Sequence, residues 1–197
     1  MITGGSRGLG LVIARHLADQ GARIAITAPS EDDLHVAADE LRARGAEVIS
    51  HPCDFREQDE VGAFIDRVTN QFDGVDALFN VAGIITVGPL KAMAMDDFHD
   101  SMQTNCWGAL RMSLEVLPFM RNQGWGRIVN IASIGGKRAV PHMLPYAASK
   151  FALVGLSNEE EKVSEEEKVS SAEKDWSTRC TGVKRRCLRS PQVGLSC

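Results

Sequence analysis

Thr3-Gly4-Gly5-Ser6-Arg7-Gly8-Leu9-Gly10 lies between a stub of strand, Met1-Ile2-Thr3, and a helical stripe formed by Leu9, Val12, Ile13 and Leu17. Three of its glycines have separate reasons to be there. Gly4 permits a tight turn, Gly8 lets the backbone approach a pyrophosphate with no Cβ in the way, and Gly10 allows a helix to pack closely on a strand. The helix that opens there offers unpaired N–H groups and a partial positive charge, which suit a phosphate. Glycine-rich turns are common. This one gains weight from its place at the head of an alternating strand–helix chain.

That alternation continues outward from the turn. Residues 23–27, Arg-Ile-Ala-Ile-Thr, form a short apolar run fit for a buried parallel strand. Ser30 follows as a candidate N-cap, with Asp33 three residues on. Leu34, Ala37, Ala38 and Leu41 recur at helical spacing, and Gly45 stands where the helix should stop. Val48-Ile49 marks the next strand, and Val61, Phe64, Ile65, Val68 and Phe72 an amphipathic helix. Further buried strands are expected at 77–79 and 128–131, with a long helix between them over about 96–120. This order predicts an α/β fold, a Rossmann-type doubly wound parallel sheet. The sheet is expected to be incomplete, because its central first strand is nearly absent.

After Ser157 the composition changes. Glu-Glu-Glu-Lys-Val-Ser occurs twice in tandem over 159–170, and a basic stretch with Arg179, Lys184, Arg185, Arg186 and Arg189 follows. The chain is therefore divided into a nucleotide-binding and catalytic domain, 1–157, and a charged tail, 158–197, expected to be helical or disordered and outside the fold.

The 197 residues suffice for one domain with a sizeable core. A net charge of −4 argues against a nucleic-acid partner. No apolar run reaches the roughly 20 residues of a membrane span, and no secretory signal is seen. Five irregularly spaced cysteines suggest reduced thiols in a cytoplasmic protein. His16, His35, His51, His99 and His142 lack metal-ligand spacing, so no metal site is expected.

Two features point to chemistry. The end of the second strand, Thr27-Ala28-Pro29-Ser30, carries no carboxylate to hold a ribose 2′-hydroxyl, whereas Arg7 and Ser30 can meet a 2′-phosphate. NADP(H) is therefore favoured over NAD(H). Further on, Pro145-Tyr146-Ala147-Ala148-Ser149-Lys150 puts Tyr146 and Lys150 on one helix face. A free phenol is a poor acid or base at neutral pH, and a neighbouring ammonium favours the phenolate. Tyr146 is the only tyrosine, and it follows Ser133, which sits just beyond a strand's carboxyl end.

With these residues in hand the chain resembles the short-chain dehydrogenase/reductase family over residues 2–157. The likeness rests on the glycine turn, Asp54, Asn80-Val81-Ala82-Gly83, Asn105, Ser133, Tyr146 and Lys150. Residues 21–31 are also similar to bacterial 3-oxoacyl-thioester reductases. The resemblance implies that Tyr146 is the general acid or base, that Lys150 lowers its pKa and holds the nicotinamide ribose, and that Ser133 positions the substrate oxygen. It implies that Asn105 supports a proton-relaying water and that Asp54, with Phe55, borders the adenine. It adds Thr3, Gly4, Ser6, Arg7, Gly8, Leu9, Gly10, Asn80, Ala82 and Gly83 to the cofactor cradle. Local alternatives exist, with Asp54 capping the next helix and Asn105 satisfying backbone at a kink.

Val81 departs from the family's Asn-Asn-Ala-Gly, and the strands expected after the catalytic helix are not found. The leading reading is an NADP(H)-dependent oxidoreductase interconverting an alcohol and a carbonyl, a homo-oligomer if folded. The alternatives are a non-catalytic nucleotide-binding remnant and an interaction protein acting through its tail.

Overall fold

The computed structural model describes the backbone of residues 1–168 and the side chains of residues 1–157. Expectations for residues 169–197, the basic stretch among them, lie outside the described residues.

The elements run β1 (Ile2–Thr3), α1 (Gly8–Asp19), β2 (Ile24–Ala28), α2 (Glu31–Ala43), β3 (Val48–Pro52), α3 (Gln58–Phe72) and β4 (Ala77–Asn80). Then come α4 (Met95–Met102), a π-turn (Gln103–Trp107), α5 (Gly108–Gln123), β5 (Arg127–Asn130), a 3₁₀ turn (Ile134–Gly136) and α6 (Leu144–Lys168). The five strands are parallel in the order β3-β2-β1-β4-β5. The chain winds outward from β1 to β3, then returns to β4 on the other side of β1. That reversal opens a crevice at the carboxyl ends of β1 and β4.

The sheet separates two apolar layers. On one face Ala14 and Ala18 of α1 and Leu34, Ala37, Ala38 and Leu41 of α2 meet Ile2, Ile24 and Ile26. On the other, Val61, Phe64, Ile65 and Val68 of α3 and Met112, Val116 and Met120 of α5 meet Ala25, Ile49 and Leu78. The predicted apolar positions of α2 and α3 are all buried. Ser30 caps α2 as expected, its Oγ accepting from Asp33 N at 3.3 Å.

Two expectations are corrected. The stripe read along α1 holds only in half: Ile13 and Leu17 pack partly buried against the core, but Leu9 and Val12 are each 53% exposed, and the fully buried positions are Gly10, Ala14 and Ala18. Packing decides this, because a Cβ at Gly10 would collide with the Gly4 carbonyl, so small residues must face the strand. The single helix expected over 96–120 is interrupted by the π-turn, which turns Asn105 and Cys106 inward. The near-absence of the first strand is as expected: β1 has two residues, yet it is the central strand and pairs with both neighbours.

Candidate active site

The glycine turn leaves β1 with Gly4 at φ +66° and Gly8 at φ +54°, conformations that favour glycine. Gly4 also lies against the loop after β4, since a Cβ there would stand 2.9 Å from the Ala82 Cα. Thr3 stitches the same two loops, its Oγ1 accepting from Val81 N (3.0 Å) and Ala82 N (3.1 Å). That buried hydroxyl is thus engaged by backbone. Gly8 faces open space. The first turn of α1 contains no acidic residue, whereas α2 carries three and α3 two. The positive end of α1 is left without a counter-charge from its own turn. Ser6 is half-buried, and Arg7 is exposed with its guanidinium 3.9 Å from Asp33.

Residues of the expected adenine border divide. The Asp54 carboxylate accepts from Arg56 N at 2.9 Å, Nε at 3.0 Å and a terminal nitrogen at 2.6 Å, and this pairing holds it below the usual carboxylate range. It does not cap α3, where Glu57 holds that position. The Phe55 ring is buried in the core. Asn80 also points inward, its amide donating to Asn130 Oδ1 at 2.8 Å and to Ala109 O and Ser113 Oγ, each at 3.3 Å. Neither side chain faces the crevice, so only their backbones are placed to border it.

At the carboxyl end of β5, Ser133 opens the 3₁₀ turn, its Oγ accepting from Gly135 N at 3.1 Å. Tyr146 comes from the first turns of α6 and is half-buried. A Cβ on Gly135 would lie 3.2 Å from the Tyr146 ring and 3.5 Å from Ser133 Oγ, so the missing side chain lets phenol and hydroxyl converge. Gly136 does similar work against α6, where a Cβ would stand 2.7 Å from the Lys150 carbonyl oxygen.

Lys150 is 4% exposed, with Nζ 5.9 Å from the centroid of the Tyr146 ring and donating to Ile131 O at 2.7 Å. Burial pushes its pKa down to about 8, opposed in part by the Cys106 thiol. Asn105 lies beside it: Oδ1 accepts from Ile84 N (2.7 Å), while Nδ2 donates to Ile84 O (2.9 Å) and Ser149 Oγ (2.9 Å). A Cβ on Gly83 would lie 3.1 Å from Asn105 Oδ1 and 3.8 Å from Lys150 Nζ, which places amide and ammonium around one point. Ser133, Tyr146, Lys150 and Asn105 thus meet on one side of the crevice, and the glycine turn borders the other.

The short chain dehydrogenase family model matches residues 1–171, further than the sequence pattern alone could be followed. The chain belongs to this family. It is 35% identical over 158 residues to a 3-oxoacyl-[acyl-carrier-protein] reductase of Staphylococcus epidermidis, covering 80% of this chain and 65% of that protein. Among solved structures, actinorhodin polyketide ketoreductase with NADPH is similar at 39% identity and a TM-score of 0.76, over 79% of this chain and 60% of that one. NAD⁺-bound xylitol dehydrogenase is similar at 34% identity and a TM-score of 0.76, over 78% and 60%. The chain therefore spans about three fifths of the length of such short-chain dehydrogenase relatives.

Among the described residues no group of His, Cys, Asp and Glu could hold a metal ion, and no helix is long and apolar enough to cross a membrane. Sequence reasoning missed Ser149, Gly135 and Gly136. The Gly-Gly pair directly after Ser133 and Ile134 was the available signal for a close approach.

Proposed function

We propose that this protein is an oxidoreductase that interconverts a carbonyl and an alcohol with NADP(H). The observation that carries the reading is the convergence of Ser133 Oγ and the Tyr146 ring on the side-chain-free Gly135, with a buried lysine ammonium beside them.

The residues fit a dinucleotide phosphate. Gly8 leaves open space at an α1 N-terminus that has no acidic residue in its first turn, and Arg7 stands exposed at the rim. Gly4, Ser6, Leu9 and Gly10 complete the turn, while Ala82 and Gly83 face it from β4. Ser30 and the Arg56–Asp54 pair border the adenosine end. When bound, the nicotinamide supplies or takes up the hydride. Ser133 donates a hydrogen bond to the substrate oxygen and orients it towards Tyr146. Tyr146 gives its phenolic proton to that oxygen in reduction and receives it in oxidation. Lys150 holds the nicotinamide ribose hydroxyls and presents its charge to Tyr146. The side chain of Asn105 is committed to protein, which leaves its main-chain carbonyl as the group to hold a relay water.

A cleft of about 320 Å³ is lined by Leu90, Met93, Val140, Pro141 and Leu144, which joins it to the first turn of the helix that carries Tyr146, and it offers an apolar wall to a substrate. A 3-oxoacyl thioester is the first substrate to try, since the Staphylococcus relative is named for that reaction. The test is thioester-dependent oxidation of NADPH by the full chain. Tyr146→Phe should lower turnover about 10²–10⁴-fold and leave cofactor binding nearly intact. A Tyr146→Phe protein as active as the parent would sink the mechanism.

A second reading, nucleotide binding without turnover, is favoured by one observation. Among the described residues the sheet ends at β5, whose Val129 is 37% exposed. Cofactor binding that persists with no turnover on any carbonyl would decide for it.

A further inference from the structure

Ser149 lies on α6 between the two residues assigned to chemistry, and it is wholly buried. Its Oγ donates to the Tyr146 carbonyl oxygen at 2.8 Å and accepts from Asn105 Nδ2 at 2.9 Å. Without Ser149, the second N–H of that amide would be left unsatisfied in a buried site, a costly state. Asn105 in turn grips both backbone groups of Ile84, at 2.7 and 2.9 Å. One hydroxyl therefore ties together the catalytic helix, the π-turn and the loop that carries Gly83. With the Ile131 carbonyl that accepts from it, those segments flank the Lys150 ammonium, a Cβ at Gly83 standing 3.8 Å from Nζ and 3.1 Å from Asn105 Oδ1.

We propose that Ser149 is a positioning residue: its hydroxyl locks the Asn105 amide and, through it, holds the π-turn and the Gly83–Ile84 loop closed around Lys150. Its role in turnover rests on the reductase reading; its role in enclosing Lys150 does not. Burial is the main influence on that ammonium. The titratable groups beside it are Cys106 from the π-turn and Tyr146 on its own helix. Releasing the amide lets the π-turn relax and admits water to the ammonium, which moves the lysine towards its ordinary titration range.

The test compares Ser149→Ala, Ser149→Cys and Ser149→Thr in the full chain. Alanine removes the hydroxyl, cysteine keeps the volume with a weak donor and acceptor, and threonine keeps the hydroxyl. With a working substrate, Ala and Cys should lower kcat at least about tenfold, less than the roughly 10²–10⁴-fold expected for losing the acid–base group itself. KM for NADPH should stay within about twofold, and Thr should restore most of kcat. Independently of turnover, NMR titration of the Lys150 side chain without ligands should show its midpoint raised in Ala and Cys and near the parent's in Thr. A cysteine variant with parental kcat and parental titration overturns the proposal. If the parent turns over no carbonyl, the reductase reading fails, and the titration alone judges Ser149: an unchanged midpoint in Ser149→Cys would refute it. Should Ser149→Ala fail to fold, the Cys–Thr pair still decides.

Discussion

In the proposed site the choice between the two nicotinamide dinucleotides falls to the exposed guanidinium of Arg7, because nothing acidic stands at Ala28 or Pro29 to prefer a free ribose hydroxyl. The structure adds a competitor the sequence did not reveal: Asp33, also exposed, 3.9 Å away. Arg7→Ala should weaken NADPH binding by ~1–3 kcal/mol with little effect on NADH, whereas Asp33→Asn should strengthen NADPH. Equal losses for both cofactors in an Arg7→Ala titration would remove Arg7 from the site. Lys150 carries a second prediction at this scale. Its folded pKa, about 8, lies below the ordinary 10.5, so below pH 8 the folded protein holds a buried ammonium at full cost. Above about 8 the folded form sheds that proton while the unfolded chain keeps its own, so stability rises up to about pH 10.5. Cys53, pushed up to about 12 by burial, acts with the opposite sign above about pH 9. Between pH 7 and 9 the parent should therefore gain about 1 kcal/mol that Lys150→Met does not. Denaturant titrations at the two pH values measure it, and identical gains would show that Lys150 is solvated. Tyr146, Lys150 and Ser133 could be singled out in the sequence because they stand at recognisable spacings along the chain. Ser149 was not, because its partners Asn105 and Ile84 are near it only in the folded molecule.

At the scale of elements, the legible parts were those with a regular apolar period. Helices α2 and α3 bury the positions their spacing predicts. Helix α1 misled in part: Ile13 and Leu17 pack against the core as read, but Leu9 and Val12 look outward and the fully buried positions are Gly10, Ala14 and Ala18. The π-turn left one trace, Asn105 read as able to satisfy backbone at a kink, and its side chain does bond the Ile84 backbone from that turn. The joint between the 3₁₀ turn and α6 is where an element-level change should tell most. Gly136→Ala would set a Cβ 2.7 Å from backbone, and backbone cannot swing aside as a side chain can. Its cost should be about 1–3 kcal/mol, the range for overpacking. Gly62→Ala, with open space around it in α3, should be neutral or stabilising by up to about 1 kcal/mol. Thermal melts of the two variants check the contrast, and equal melting temperatures would mean the joint yields freely.

For the whole molecule, the two edges of the sheet differ. At β3, Arg42 donates to the Val48 carbonyl oxygen and Pro52 closes the strand without an N–H to offer. At β5, the described ladder runs to β4 alone: Arg127 N bonds to Asp76 O and Ile131 N to Asn80 O. The pleat then turns the Ile128 backbone away from β4. An edge of this kind next to half-exposed Val129 favours pairing with another chain. The purified protein should associate increasingly with concentration, and Val129→Lys should shift it towards monomer in sedimentation experiments. A parent that stays monomeric and unfolds cooperatively would refute this. The open edge at β5 was legible from the alternation of elements and the strands missing from the sequence after α6, but the protection of β3 was not, because Arg42 and Val48 meet only in the folded molecule.

Strand β1 has one more consequence, and it concerns time. Its two residues sit between β2 and β4, with Ile2 opposite both Ile26 and Phe79. The β2 neighbour is synthesised early, but the β4 neighbour leaves the ribosome only after three helices have been made. Until then the glycine turn has one wall, and Thr3 lacks the Val81 and Ala82 N–H groups that it ties together. The glycine turn, translated well before its second wall, is therefore among the last of these parts to become native. Closing so long a loop on so short a strand makes its arrival a slow and cooperative step.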